Sequence, residues 1–535
     1  MSRRSYWGWG LESDEPTEQQ RIDYAKKLSE RHGVTLTPPP HPTISGVSLR
    51  APRISAPAQL AGICSTDTHD RAGHTYGKSF LDTVKAIRGV FPNPPDVVAF
   101  PRTEADIVHL LEWCDTAGNV VIPYGGGSSV VGGVEAPKNE ARGIVSIDLR
   151  ELNQVLEVDA TSRAARIQAG ALGPALDAQL KPHGFTLRHF PQSFEWSTLG
   201  GWLATRSGGH YATNHTHIDD FAESIRMVTP RGVWESRRLP GSGAGPSPDR
   251  MILGSEGILG IITEAWMRIQ ARPTFRASAG VTFPTWEAGF EAARRVVQAK
   301  LWPANCRLLD PIEAGASAGL DGTRAILILG FESAELSQRW NITEAVRLAR
   351  DAGGAIDDAD ILVVDDARGG EDVGRQGAVG EWRNSFIRAP YTRNISAGLG
   401  MIGDTFETSI TWDRWPEFDR QVRAAVTEAL QRVCGGGTLS CRFTHVYTDG
   451  PAPYYTYSGL GKPGAEAEMW SEIKKAASDA LIAAGGTITH HHAVGRDHRP
   501  WYDIQRPDVF ASALRAAKKA VDPNGILNPG VLIDP

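Results

Sequence analysis

Three consecutive histidines, His490, His491 and His492, carry the densest chemistry in the 535-residue chain. Imidazole titrates near pH ~6.5, so such a run can donate, accept or hold charge at neutral pH. Read as extended backbone, it turns His490 and His492 to one side and His491 to the other. A metal needs ligands that converge on one point. No Asp, Glu or Cys cluster accompanies the run in sequence, so no metal is expected, and the choice lies between structural and active-site histidines. Tyr454 has aromatic neighbours at 455 and 457. They read either as strand packing or as the setting of a phenol that moves protons. A phenol of pKa ~10 needs a cation or hydrogen bonds nearby to act as a base. Arg307 interrupts the apolar stretch 305–310, where Asp310 is an acid that could pair with it. Arg393 follows the polar turn 389–392, where it reads equally as a surface charge. At either position a guanidinium fork suits a phosphate or a carboxylate.

Three glycine-rich loops form the second constellation. The apolar run Val120-Val121-Ile122 feeds into Pro123, Gly125, Gly126, Gly127, Ser128, Ser129 and Gly132. Consecutive glycines bring a ligand against bare peptide N–H groups, a way to cradle a phosphate or pyrophosphate. No Gly-Lys-Ser/Thr follows, and 130–133 opens no helix, so neither a P-loop nor a Rossmann fingerprint is present. The second loop holds Ser197, Thr198, Gly200 and Gly201. The third holds Ser255, Glu256, Gly257 and Gly260 and runs into a strand at Ile261. A carboxylate beside a pyrophosphate is repelled unless it caps backbone N–H groups, so Glu256 is expected to be structural within its loop, with Ser255 and the loop amides as ligands. Three such loops in one region suggest one long ligand threaded along several backbones.

These residues need elements to hold them. A helix is expected within 12–33, capped by Ser13 or Thr17 and stopped by Gly33. Residues 43–95 read as polar and turn-rich. From Val97 a strand, a helix to about Asp115 and the strand entering the first loop make a βαβ unit. Residues 275–480 change to amphipathic helices alternating with strands, and 521–530 form a rigid, turn-rich tail. The formal net charge of -6 argues against a nucleic-acid surface. Five cysteines without a Cys-x-x-Cys read as reduced thiols rather than a disulfide frame. The N-terminus lacks the apolar core of a secretory signal, and no window approaches a membrane span, so a cytoplasmic location is expected.

In order and spacing, the three loops resemble the FAD-binding domain of the vanillyl-alcohol oxidase / p-cresol methylhydroxylase superfamily. Within it, segments 7–10, 226–232, 307–310, 391–393, 406–409, 454–455 and 490–492 resemble the alkyldihydroxyacetonephosphate synthases. The resemblance implies an α+β fold: a two-part FAD-binding domain of the PCMH/VAO type, an inserted α+β cap domain and an N-terminal helical segment. The expected divisions are 1–95, 96–275, 276–480 and 481–535, the last returning to the FAD domain. It implies noncovalent FAD, with His210, His215 and His217 as loop or surface residues. It implies exchange of an acyl chain for a long-chain alcohol without net redox change, with an FAD-linked 2-hydroxy-acid oxidase as the alternative. Tyr454 would then handle the substrate proton, His491 would relay it with His490 and His492 in support, and Arg393 and Arg307 would hold a phosphate or the leaving carboxylate. Lipid substrates, peripheral membrane contact and a homodimer are the implied partners.

Overall fold

The computed structural model describes residues 3–210, 216–365 and 377–534. Four sheets organise it. The first takes β1 (Cys64–Ser65), β2 (Val97–Ala99), β3 (Val120–Tyr124) and β4 (Ile144–Asp148) in the order β1-β2-β4-β3. The last three are parallel and almost wholly buried, as parallel strands covered on both faces must be. The intervening helix Glu104–Ala117 starts at a Thr103/Asp106 capping box and stops at Gly118 in the left-handed region. It buries Ile107, Leu110, Leu111 and Cys114, one helical face.

The second sheet is antiparallel. It joins β5 (Val155–Asp159), β6 (Ala164–Gln168), β8 (Ala222–Thr229), β9 (Gly232–Glu235) and β10 (Ile261–Arg268) in the order β5-β6-β10-β8-β9. β7 (Phe185–Thr186) pairs with β11 (Gln270–Ala271). The seven-stranded fourth sheet contains β12 (Phe275–Phe283), β13 (Asn305–Leu309), β14 (Ala325–Ser333), β15 (Leu362–Val364), β16 (Met401–Glu407), β17 (Thr438–Val446) and β18 (Pro451–Leu460). Its order is β15-β12-β14-β13-β17-β18-β16, all antiparallel. Apolar side chains of the helices Trp286–Gln298, Arg339–Asp351, Trp415–Cys434 and Glu466–Ala483 share a core with Tyr455 and Tyr457. Tyr454 and Thr456, one residue out of phase with Tyr455, line a cavity.

The chain closes on itself at both ends. In the tail, the Val121 N–H donates to Ile526 O and the Asn528 N–H to Val121 O, extending the edge strand β3. The helix Glu18–His32 begins at Thr17 rather than Ser13 and ends at Gly33. Residues 43–95 hold more order than their polarity suggests: helices Thr68–Gly73 and Phe80–Ile87, capped by Asp67 and Ser79. Hydrophobic periodicity misses the first of these because it buries polar side chains. Arg71 donates to Pro95 O, and His74 lies 2.9 Å from Asp148. Among the described residues no helix is long and apolar enough to cross a membrane.

Candidate active site

One cavity of about 550 Å³ joins the two constellations. On one side it is lined by Pro123, Gly125, Gly126, Gly127, Ser128, Ser129, Ser197, Thr198, Gly200, Gly201, Glu256, Gly257, Gly260 and Ile261. On the other stand Arg393, Tyr454, His491 and His492. Gly132 and Ser255 are outside the lining: Gly132 turns the chain at φ +67, and Ser255 is buried behind its own loop. Of the residues singled out in the third loop, Glu256, Gly257 and Gly260 face the cavity, and the Ser255 hydroxyl, expected as a ligand, does not line it.

The loops admit only glycine because they pack on each other. A Cβ at Gly126 would overlap the Trp196 carbonyl oxygen, and one at Gly125 the Thr198 hydroxyl. Thr198 meanwhile caps the helix Leu199–Thr205 through the Gly201 N–H, and Trp202 Nε1 donates to Ser197 Oγ. The cavity wall is thus bare peptide, the donor set that suits a long pyrophosphate-bearing cofactor such as FAD. Glu256 accepts the Val494 and Gly495 N–H groups at 2.9 and 2.8 Å, tying the third loop to the segment after the histidines. Burial pushes its carboxyl up to about 7 against those two bonds.

The histidine run is not a strand. All three backbone N–H groups converge on Glu407, at the end of β16. His490 N donates to Oε2 at 2.7 Å, His492 N to Oε1 at 3.0 Å, and His491 N lies 3.1 and 3.2 Å from the two oxygens. The Thr489 hydroxyl adds a fourth donor. The expectation that no acid accompanies the run is therefore corrected: the acid comes from 83 residues upstream. Burial would raise Glu407, but His491 and His492 beside it and the hydrogen bond from His491 hold it well below the usual carboxylate range. Single atoms of Glu407, His490 and His491 lie close enough to meet one ion. The carboxylate, however, is already saturated by backbone donors, which suits an organiser of the turn better than a metal ligand.

His491 and His492 reach the cavity; His490 lies behind them. Burial lowers His490 well below its ordinary value and His492 to about 3. His217 is not a loop bystander: its Nε2 is 3.2 Å from His490 Nε2 and 3.1 Å from Tyr447 Oη. His215 lies outside the described residues.

Tyr454 is buried, donates to Thr405 Oγ1 at 3.0 Å and stacks near His491. Burial raises its phenol, while Arg442 and Arg393 pull it down. Arg442, silent in the sequence reading, places its guanidinium 4.2 Å over the Tyr454 ring and pairs with Glu313 at 2.8 Å. Arg393 lines the cavity, donates to Lys78 O and faces Asp404 at 3.5 Å. Lys78 also lines it, and burial lowers its ammonium to about 8. Arg307 is absent from this wall. It is buried over Trp382 and Phe386 with Nη2 3.1 Å from His210 Nδ1. Asp310 does not pair with Arg307; it caps the helix Pro311–Ser317 and binds Arg423. Arg442 and Lys78 gave no sequence signal beyond being basic, because neither neighbours the motifs along the chain.

This fold and cavity define a two-part FAD-dependent enzyme. The family models "FAD binding domain" and "FAD linked oxidases, C-terminal domain" match residues 95–236 and 272–532. The chain is 32% identical to the alkyldihydroxyacetonephosphate synthase of Dictyostelium discoideum, over 86% of this chain and 77% of that one. It is 30% identical to the namesake of Caenorhabditis elegans, over 88% and 81%. A solved structure titled alkyldihydroxyacetonephosphate synthase superposes with a TM-score of 0.78 at 26% identity, covering 98% of both chains. The chain belongs to the alkyldihydroxyacetonephosphate synthase family.

Proposed function

We propose that this enzyme makes the ether bond of alkyl-dihydroxyacetone phosphate from acyl-dihydroxyacetone phosphate and a long-chain alcohol. The observation that carries the reading is one cavity in which glycine loops fit for FAD face Tyr454, His491 and His492 beside Arg393, Arg442 and Lys78. The bond between the dihydroxyacetone carbon and the ester oxygen breaks, and the carboxylate leaves with both its oxygens. The alcohol oxygen bonds to that carbon and its proton is released, so no net oxidation occurs. FAD, when bound along the loops, supplies the reactive centre.

The protein's share is positioning and proton movement. Arg393, with Lys78 and Arg442 beside the cavity, offers cationic contacts for the substrate phosphate. Tyr454 moves the substrate proton: burial keeps the phenol protonated at rest, and the two arginines ease its loss. His491 takes up the proton that must leave. Arg307, walled off by Trp382, acts from behind rather than on substrate. Incubation with labelled fatty alcohol and acyl-dihydroxyacetone phosphate tests the reading. Labelled ether product is expected; reduction of the flavin by lactate-like acids, with no ether formed, would favour the oxidase instead.

We further propose a homodimer resting peripherally on a bilayer. The resemblance motivates the dimer, which light scattering checks. Ile504, Val509 and Phe510, all at least half exposed, support the membrane contact. Sedimentation with lipid vesicles is expected, and its loss on I504S/V509S/F510S.

A further inference from the structure

The proposed exchange consumes a neutral alcohol and releases a carboxylate, so each turnover leaves one proton in a buried cavity. A continuous line of hydrogen-bonding groups leads away from it. His491, on the cavity wall, has Nδ1 3.1 Å from His490 Nδ1. His490 Nε2 is 2.6 Å from Tyr447 Oη, and Tyr447 Oη is 3.1 Å from His217 Nε2. His217 Nδ1 is 3.1 Å from the backbone carbonyl of Arg206, at the exposed end of the line.

The two ends of this line fix its polarity independently. At the inner end, the Glu407 carboxylate lies 3.2 Å from His491 Nδ1 and can only accept, so that nitrogen carries the hydrogen. His490 Nδ1 then accepts, and its hydrogen sits on Nε2. At the outer end, a carbonyl can only accept, so His217 Nδ1 carries its hydrogen and Nε2 accepts from Tyr447. Tyr447 therefore accepts from His490 and donates to His217, and His490 Nε2 also lies 3.2 Å from His217 Nε2, a longer direct step beside the phenol. His490 Nε2, the Tyr447 phenol and His217 Nδ1 donate outward, while the single His491 Nδ1–H is shared between Glu407 at 3.2 Å and His490 Nδ1 at 3.1 Å. His491 Nε2 is left as the nitrogen that takes a proton from the cavity.

We infer that His491, His490, Tyr447 and His217 form an outward-directed proton wire, with Tyr447 and His217 as relay residues that touch neither substrate nor cofactor. This rests on the proposed reaction. A proton bound at His491 Nε2 is matched by release of Nδ1–H to His490, of Nε2–H to Tyr447, of the phenolic hydrogen to His217, and of Nδ1–H to solvent. No group changes oxidation state. Burial disfavours the charged form of His490, so it passes a proton rather than storing one. The groups facing the wire are Glu407, His445 stacked on His491, His492, Thr216 beside the phenol, and Asp219 near His217.

The test uses the FAD-loaded full chain in the ether assay. Tyr447→Phe keeps the ring and removes the phenolic link, leaving only the 3.2 Å His490–His217 contact; His217→Ala removes the exit for both routes. His217→Ala is expected to lower kcat by about 10-fold or more and Tyr447→Phe to lower it by less; both should leave KM little changed, enlarge the solvent deuterium isotope effect and leave flavin absorbance intact. Added imidazole should restore much of the His217→Ala rate. Wild-type kcat and isotope effect in both variants would overturn the wire, as would a loss that imidazole does not relieve and that carries no isotope effect. Absence of ether product from the wild-type chain would instead overturn the proposed function beneath it.

Discussion

At the residue scale, the proposed reaction divides two tasks between Tyr454, which would move the proton, and Glu407, which holds the histidine turn. Tyr454→Phe removes one hydroxyl and keeps the ring under Arg442; a proton-handling phenol predicts a loss of about 10² to 10⁴ in ether synthesis with FAD still bound. Unchanged synthesis would return the 454–457 aromatics to packing. Glu407→Gln places an amide donor among three backbone N–H groups and the Thr489 hydroxyl. The unsatisfied donors cost about 1–3 kcal/mol, and the turn presenting His491 loosens. Lower thermal stability together with lower kcat is expected, and a variant that melts like wild type would show that the carboxylate does not organise the turn. Tyr454, His491 and His492 were legible as cavity-lining residues because a phenol and adjacent imidazoles are conspicuous by type. Glu407 was legible only as part of a resembling motif, since nothing local says that a carboxylate on one strand will gather the amides of a distant turn. Arg307 misled for the converse reason: Asp310 is near in sequence, but the α-helix it caps turns its carboxylate elsewhere.

At the element scale, periodicity located what is held by apolar faces and missed what is held by buried polar groups. The βαβ unit was readable because β2, β3 and the helix between them bury Val, Ile and Leu. The order within 43–95 was not: although Phe80–Ile87 buries Phe80, Val84 and Ala86, the joints that tie the segment to β2 are ionic. Asp96, wholly buried at the start of β2, accepts from Arg50, from the side chain and N–H of Arg53, and from Ile144 N. Burial would raise it, yet the two arginines depress it to about 2. The sign follows: a carboxyl depressed in the folded state adds stability above its unfolded value near ~3.9, and that stability is lost as pH falls towards 2. Wild type should therefore lose more unfolding temperature between pH 5 and pH 2.5 than Asp96→Asn. At neutral pH the variant, which leaves two part-exposed arginines and the Ile144 N–H short of their acceptor, should be less stable by about 1–3 kcal/mol. Parallel pH profiles for the two proteins would show that Asp96 is not the acid-labile joint.

At the scale of the whole molecule, the cavity is where the separate parts meet. The glycine loops come from the first half, Tyr454 and Arg393 from the seven-stranded half, His491 and His492 from the returning tail, and Lys78 from the N-terminal segment. A ligand filling it touches every part, so FAD is predicted to behave as a structural bridge. Anything that binds the folded state alone stabilises it by mass action, about 2.7 kcal/mol at a free concentration one hundred times Kd. Stripping FAD should lower the unfolding temperature, and adding it back should restore it. The binding is predicted to be noncovalent: the first loop offers Ser128 and Ser129 but no histidine, and His210 is stacked on Trp382 beside Arg307, outside the cavity wall. Acid or heat should therefore carry the yellow chromophore into the supernatant. Colour retained in the washed precipitate would mean a covalent bond, and with it that a cavity histidine, His491 or His492, serves the cofactor rather than the proton.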